Sequence, residues 1–203
     1  LDSYDEIELK IKEFIRSGTD VNYKDLEGET PLHLASEKGY VTVVKILIDK
    51  RADVDIKDKW GRNPLHYASG IGHLDIVRIL IDRGVDINVK DKWDRTSLHY
   101  AFERGHLDIV KILIDKRADV DIKDKWGRNP LHYASKIGHL DIVKILIDRG
   151  VDINVKDKWD RTALHYVSER GHLDTVKLLV EYGACLNSLD KDGNKPIDLS
   201  KNE

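Results

Sequence analysis

The stretch from Val44 to Thr96 recurs from Val110 to Thr162 with two substitutions, Gly70 against Lys136 and Arg78 against Lys144, so the chain repeats itself every 66 residues. A shorter period runs inside that unit: the block opening at Asp58 is echoed from Asp91, Asp124 and Asp157, each 33 residues on, with a looser copy from Asp25. A fixed period of this length belongs to stacked supersecondary units, none of which buries its apolar face alone. A chain of this kind grows along one axis, unit by unit.

Each unit carries its own start and stop signals. After the polar turn DKWGR, Asn63 and Pro64 supply an N-cap acceptor and a first helical residue whose missing N–H costs nothing. The short helix that begins there carries Leu65 and Ala68 inward and stops near Gly72. A second helix is predicted from about Leu74 to Asp82, with Asp75 in its first turn. Its apolar residues Ile76, Val77, Ile79, Leu80 and Ile81 form a face broad enough to be covered on more than one side. Arg78 is placed to pair with Asp75 and Asp82 on the wet side. After Gly84, VDINVKDKWD alternates apolar and polar residues and reads as an extended arm folding back as a hairpin.

A turn, ETPLHLA, NPLHYA, TSLHYA, NPLHYA and TALHYV, the following G-H and the apolar second helix resemble the ankyrin repeat family at uniform spacing over nearly the whole chain. The resemblance implies an all-α fold, an ankyrin-repeat solenoid of helix-turn-helix units joined by short β-hairpin arms. It divides a single domain, 1–203, into a partial N-terminal repeat (1–24), full repeats at 25–57, 58–90, 91–123, 124–156 and 157–189, and a partial C-terminal repeat (190–203). Ser3 to Glu6 reads as a capping box before a helix carrying Ile7, Ile11, Phe14 and Ile15, the second helix of a repeat lacking its first. Arg51 and Arg117 stand where the family places a helix-ending glycine in a left-handed conformation, and Asp94 and Asp160 replace the turn glycine of Gly28, Gly61 and Gly127.

Composition narrows the function. Thirty-four basic and thirty-seven acidic residues give a net charge of −3, which offers no overall attraction to nucleic acid or anionic lipid. The single cysteine, Cys185, rules out an intramolecular disulfide framework and fits a reducing compartment, cytoplasmic or nuclear. No apolar run approaches the roughly 18 residues that span a bilayer. A chain that begins at Leu1 and lacks methionine is expected to be an excised or processed piece. Nine histidines invite a metal or acid/base reading, yet each falls on one of two fixed repeat positions. The family uses those positions for hydrogen bonds that tie turns and loops together. With no H-E-x-x-H, Cys/His cluster, G-x-S-x-G or phosphate-cradling loop, the expectation is a non-enzyme without cofactor or metal.

The unusual feature is aromatic. Trp60, Trp93, Trp126 and Trp159 occupy the third position of successive repeats, each in a Lys-Trp-x-Arg unit with Arg62, Arg95, Arg128 or Arg161. With neighbouring helices roughly 8–10 Å apart, the indoles are expected to form a ladder about 25–30 Å long on one rim. Trp and Arg are the types most enriched at binding hot spots. An internal ladder of cation-π contacts, about 0.5–1 kcal/mol each, explains the same pattern. The family binds partners through hairpin tips and the concave face of its first helices. On that face Ile71 and Ile137 alternate with Arg104 and Arg170, a 66-residue rhythm. The reading is a monomeric protein-protein interaction scaffold for an extended or acidic protein partner. The alternatives are a single-stranded nucleic acid or nucleotide binder that stacks bases on the indoles, and an engineered structural array. Nucleic acid is disfavoured because indoles about 10 Å apart do not match bases rising about 3.4 Å, and a membrane partner is not expected.

Overall fold

The computed structural model describes Glu13, Gly18 and residues 20–200. Among the described residues are ten α-helices in five pairs: α1 Pro31–Lys38 with α2 Val41–Asp49, α3 Pro64–Ile71 with α4 Leu74–Asp82, α5 Ser97–Arg104 with α6 Leu107–Asp115, α7 Pro130–Ile137 with α8 Leu140–Asp148, and α9 Ala163–Arg170 with α10 Leu173–Glu181. A 3-10 turn, Pro196–Leu199, packs against α9. Each first helix lies against the first helices on either side, and the second helices form a more loosely packed outer row. The half-unit expected at Ser3–Glu6, Ile7, Ile11, Phe14 and Ile15 lies outside the described residues.

The helix starts follow from the repeated histidine. In α3 the Asn63 side chain accepts the His66 N–H, while His66 Nδ1 accepts the Asn63 N–H at 3.1 Å. Thr30, Thr96, Asn129 and Thr162 make the corresponding cap with His33, His99, His132 and His165. With Nδ1 an acceptor, Nε2 carries the proton, and in four of the five it donates to a backbone carbonyl of the following turn: His33 to Arg62, His66 to Arg95, His132 to Arg161 and His165 to Asn194. One side chain thus caps its own helix and holds the next repeat in register.

The first helices end in left-handed glycines, and their tightness has a second cause. A Cβ at Gly39 or Gly72 would lie 2.6 Å from the imidazole of His73 or His106 in the next repeat. His73 Nε2 in turn donates to the Glu37 carbonyl at 3.0 Å. The second helices close in the same Schellman manner, with the Ala52 N–H bonded to the Leu47 carbonyl and the Arg51 N–H to Ile48, as His106 bonds to Ala101 and Gly105 to Phe102 at the end of a first helix. This forces Arg51 to φ 65° and Arg117 to φ 67°, where the alternate repeats have Gly84 and Gly150. Asp94 and Asp160, both at φ 59°, likewise take the turn-glycine conformation expected of them. Ile76, Val77 and Leu80 are fully buried as anticipated, with Ile79 and Ile81 half-buried beside them. The Arg78 pairs with Asp75 and Asp82 do not form, although Lys177 and Asp174 make the corresponding i,i+3 pair in α10; other ion pairs on this outer side run between repeats, as Arg83 with Asp49 and Arg149 with Asp115.

The arms require a correction. No strand occurs among the described residues, so β-hairpin arms are not seen. The alternation is still expressed in burial: Val85 and Val89 point inward while Asp86 and Asn88 face water. What is missing is the backbone ladder, because arm N–H groups bond to side chains of the preceding repeat instead of to strand carbonyls. Asp53 donates to Asn22 Oδ1, Asp86 to Asp55 Oδ1, Asp119 to Asn88 Oδ1 and Cys185 to Asn154 Oδ1, at 2.8–3.0 Å. One backbone bond per repeat remains, from Lys59, Lys92, Lys125, Lys158 and Lys191 N–H to the carbonyls of Glu27, Trp60, Trp93, Trp126 and Trp159.

Two expectations follow. Arg51→Gly removes a left-handed non-glycine residue and should raise stability by about 1 kcal/mol. An unchanged denaturation midpoint would show that the strain is relieved elsewhere. Burial pushes the His66 and His99 imidazoles down to about 4, from about 6.5 in the unfolded chain. Between those values the unfolded chain binds more protons, so this stability is fully present above pH 6.5 and is lost as pH falls toward 4. At pH 5 the loss should be roughly 2 kcal/mol for each of these two histidines, measured as a fall in denaturation midpoint from its value at pH 7.5.

Candidate functional site

The rim is built on a buried carboxylate. Asp58 is 6% exposed, and its Oδ1 accepts the backbone N–H groups of Trp60 and Arg62, each at 2.8 Å. That double acceptance closes the turn and presents Trp60 at its tip. Oδ2 accepts Arg62 Nε at 2.8 Å and lies 2.7 Å from the Tyr67 hydroxyl, which itself accepts Arg62 Nη2 at 2.6 Å. The guanidinium also lies over the Tyr67 ring, 4.5 Å from its centre. The same constellation recurs as Asp91, Arg95 and Tyr100 and as Asp124, Arg128 and Tyr133.

The Asp58 carboxylate is ionised, and the phenols of Tyr67, Tyr100 and Tyr133 are not. Burial alone would raise the Asp58 pKa, but hydrogen bonds from Tyr67 and the Arg62 backbone, with the Arg62 charge, outweigh it and hold the carboxyl below its usual range. Burial and the bond to Asp124 push the Tyr133 phenol up, so it remains a proton donor.

The indoles lie over this base. Trp60 is 37% and Trp159 46% exposed, with Trp93 and Trp126 half-buried. Trp60 and Trp93 stack with ring centres 5.5 Å apart and planes 20° from parallel. That pair is closer than the roughly 10 Å expected from helix spacing, because both side chains lean along the stack. Lys59 and Lys92 Nζ lie 5.1 and 5.7 Å from the Trp60 ring centre, and Arg95 and Arg128 cover Trp93 and Trp126 at 5.2 and 4.7 Å. Exposure and internal cation-π packing therefore coexist. The last copy differs: Tyr166 still donates to Asp157, but Arg161 Nε turns to Asp190 of the following turn at 3.3 Å.

A groove of about 310 Å³ joins this rim to the first-helix face, lined by Arg62, Tyr67, Ile71, Arg95, Tyr100 and Arg104 among others. Ile71 is 52% and Ile137 41% exposed, and Arg170 is exposed at the end of α9. The structure thus brings Arg62 and Arg95 together with Ile71 and Arg104. Ile137 and Arg170 lie in the second copy of the duplication.

Sequence reasoning missed the four tyrosines. The signal was present, since Tyr67, Tyr100, Tyr133 and Tyr166 each stand nine residues after the turn aspartate and five after the arginine. It also assigned the arginines to a hot spot or to the indole faces and missed that Arg62, Arg95 and Arg128 are each tied to a carboxylate with no exposed side-chain surface. Among the described residues no group of three or more His, Cys, Asp or Glu is placed to hold a metal ion, and no helix is long and apolar enough to cross a membrane.

Profiles described as "Ankyrin repeats (3 copies)" match residues 6–91 and 84–157, and one described as "Ankyrin repeats (many copies)" matches 138–180. The chain belongs to the ankyrin repeat family. Ankyrin repeats are in general protein-protein interaction modules, and proteins built from them are typically non-catalytic scaffolds. Over 36 residues (18% of this chain) the protein is 61% identical to a fowlpox virus (strain NVSL) protein described as an ankyrin repeat protein, FPV219. Two Arabidopsis thaliana proteins are also similar: acyl-CoA-binding domain-containing protein 2 is 47% identical over 45 residues (22% of this chain), and serine/threonine-protein kinase 12 is 46% identical over 41 residues (20%). These matches span 8%, 12% and 9% of the relatives' own lengths.

The repeated network predicts a local stability effect. Tyr133→Phe removes a donor from a fully buried carboxylate and should cost about 1.5–3 kcal/mol in urea unfolding. A cost below about 0.5 kcal/mol, the level of an ordinary surface change, would mean that Arg128 alone satisfies Asp124.

Proposed function

We propose that this chain is a non-catalytic interaction scaffold, one ankyrin domain acting as a monomer. It grips a protein partner along the tryptophan rim and the adjoining first-helix face. The observation that carries this reading is the groove that Arg62 and Arg95 of the turns share with Ile71 and Arg104 of the helices. Rim and helix face are one continuous surface. Half-exposed indoles on buried Asp-Arg-Tyr supports are rigid anchors, and ordering them on binding costs little side-chain entropy. The contact set comprises Trp60, Trp93, Trp126 and Trp159 with their arginines Arg62, Arg95, Arg128 and Arg161, and Ile71, Ile137, Arg104 and Arg170 on the helices. A cytoplasmic or nuclear setting suits the single free thiol of Cys185.

Base stacking on the indoles loses ground on geometry. Trp60 and Trp93 already stack on each other, and their arginines hold carboxylates, so a base entering there would have to part the rings. The relatives' names speak of acyl-CoA binding and protein kinase activity. With a tenth of their length matched, those activities are not transferred here.

Trp93→Ala with Trp126→Ala should abolish capture of the partner and leave the far-ultraviolet circular dichroism unchanged. Undiminished capture by the double variant, read by affinity pull-down, would remove the rim from the binding surface.

A further inference from the structure

The two copies of the duplicated unit share all but two residues, and one of those differences falls in the groove. Gly70 lies within α3, where the second copy has Lys136 in α7. Its backbone is ordinary helix, so no left-handed turn demands glycine there. A glycine inside a helix is less favourable than any residue but proline. A Cβ at Gly70 would sit 3.3 Å from Tyr100 Cδ1, closer than ordinary contact, so the glycine lets the tyrosine ring pack up to the helix and floor a shallow notch in the groove. Ile71, half exposed, stands next to it.

The charges around the notch are unequal. Glu103 is tied to Arg95 at 3.8 Å and Glu37 to Lys38 at 3.3 Å. Arg95 also holds Asp91. Arg104 makes no ion pair among the described residues, so the groove carries one uncommitted cation. Sixty-six residues on, Lys136 stands at the position of Gly70 and Arg170 at that of Arg104, so the corresponding surface carries one more cation.

We infer that the two copies are complementary subsites for one extended, acidic segment of a partner protein. This rests on the scaffold reading above and specifies its ligand. An apolar or aromatic side chain enters the notch over Tyr100 beside Ile71, and a neighbouring carboxylate meets Arg104. Two repeats further on, the same segment lays carboxylates on Lys136 and Arg170. Two helix spacings are roughly 16–20 Å, which an extended chain covers in about five or six residues. The recognised pattern is therefore an apolar residue beside an acidic one, with further acidic residues about five or six positions away.

The test uses the full chain and fluorescein-labelled ten-residue peptides carrying a phenylalanine next to an aspartate and an aspartate pair six positions along, synthesised in both orders. Control peptides exchange the aspartates for lysine or the phenylalanine for glycine. Fluorescence anisotropy should show binding of an acidic peptide, with both controls weakened at least tenfold. Gly70→Lys installs the residue that stands 66 positions on, at Lys136. It should weaken the acidic peptide at least tenfold with the far-ultraviolet circular dichroism unchanged and the melting temperature kept within a few degrees, an outcome that loss of folding could not produce. Arg104→Ala should weaken the acidic peptide and leave the lysine control unchanged. Full affinity in Gly70→Lys, equal affinity for the lysine peptides, or binding of a ten-nucleotide single-stranded DNA but of no peptide would each overturn the inference. Full affinity in Gly70→Lys combined with loss in the Trp93/Trp126 double variant would sink the notch and leave the rim reading standing.

Discussion

The buried carboxylate at the head of each repeat is the contact on which the rest of the surface depends. A carboxyl group without exposed surface is tolerated only when its lone pairs are met, and Asp58, Asp91 and Asp124 meet theirs with two backbone N–H groups, a phenol and a guanidinium. The backbone bonds bend the turn, the phenol joins it to the first helix, and the guanidinium reaches back beneath the indole. Removing the carboxylate would leave an arginine, a tyrosine and two amides without partners. The tryptophan at the tip thus owes its position to a carboxylate that holds its backbone N–H rather than its ring.

Along the stack, order passes from neighbour to neighbour. Neutral histidines cap one helix and donate to the next turn, arm amides reach side chains 31 residues earlier, and a single backbone bond per repeat fixes the register. Each contact joins adjacent repeats, so stability accumulates as a sum of unit and interface terms. The left-handed Arg51 and Arg117 weaken alternate joints slightly, and the buried histidines make the array sensitive to acid.

Duplication supplied the scaffold, and small departures from it give the surface its direction. Gly70 and Lys136 differ by one side chain on the same backbone, yet one opens a notch and the other presents a charge. At the C-terminal end Asn194 stands where the earlier turns carry arginine, and Arg161 crosses to Asp190 instead of holding its own carboxylate. In a repeat protein such exceptions are informative, because the regular positions are already spoken for by packing.

Much of this protein was legible in its residues. The period is displayed by the sequence directly, the helix pairs and the caps at Asn63 and Gly72 follow from rules acting within a few residues, and the structural histidines and the left-handed Arg51 and Asp94 followed from the resemblance to the ankyrin repeat family. The arms were misjudged because alternation records which side chains are buried and says nothing of what the backbone bonds to; asparagine and aspartate side chains from the repeat before took the place of a strand. The commitment of the arginines, the stacking of Trp60 on Trp93 and the notch at Gly70 were likewise decided by tertiary structure. They join groups four to 33 residues apart at distances of a few ångströms, and for Trp60 with Trp93 and Gly70 with Tyr100 the stacking of one repeat on the next sets those distances.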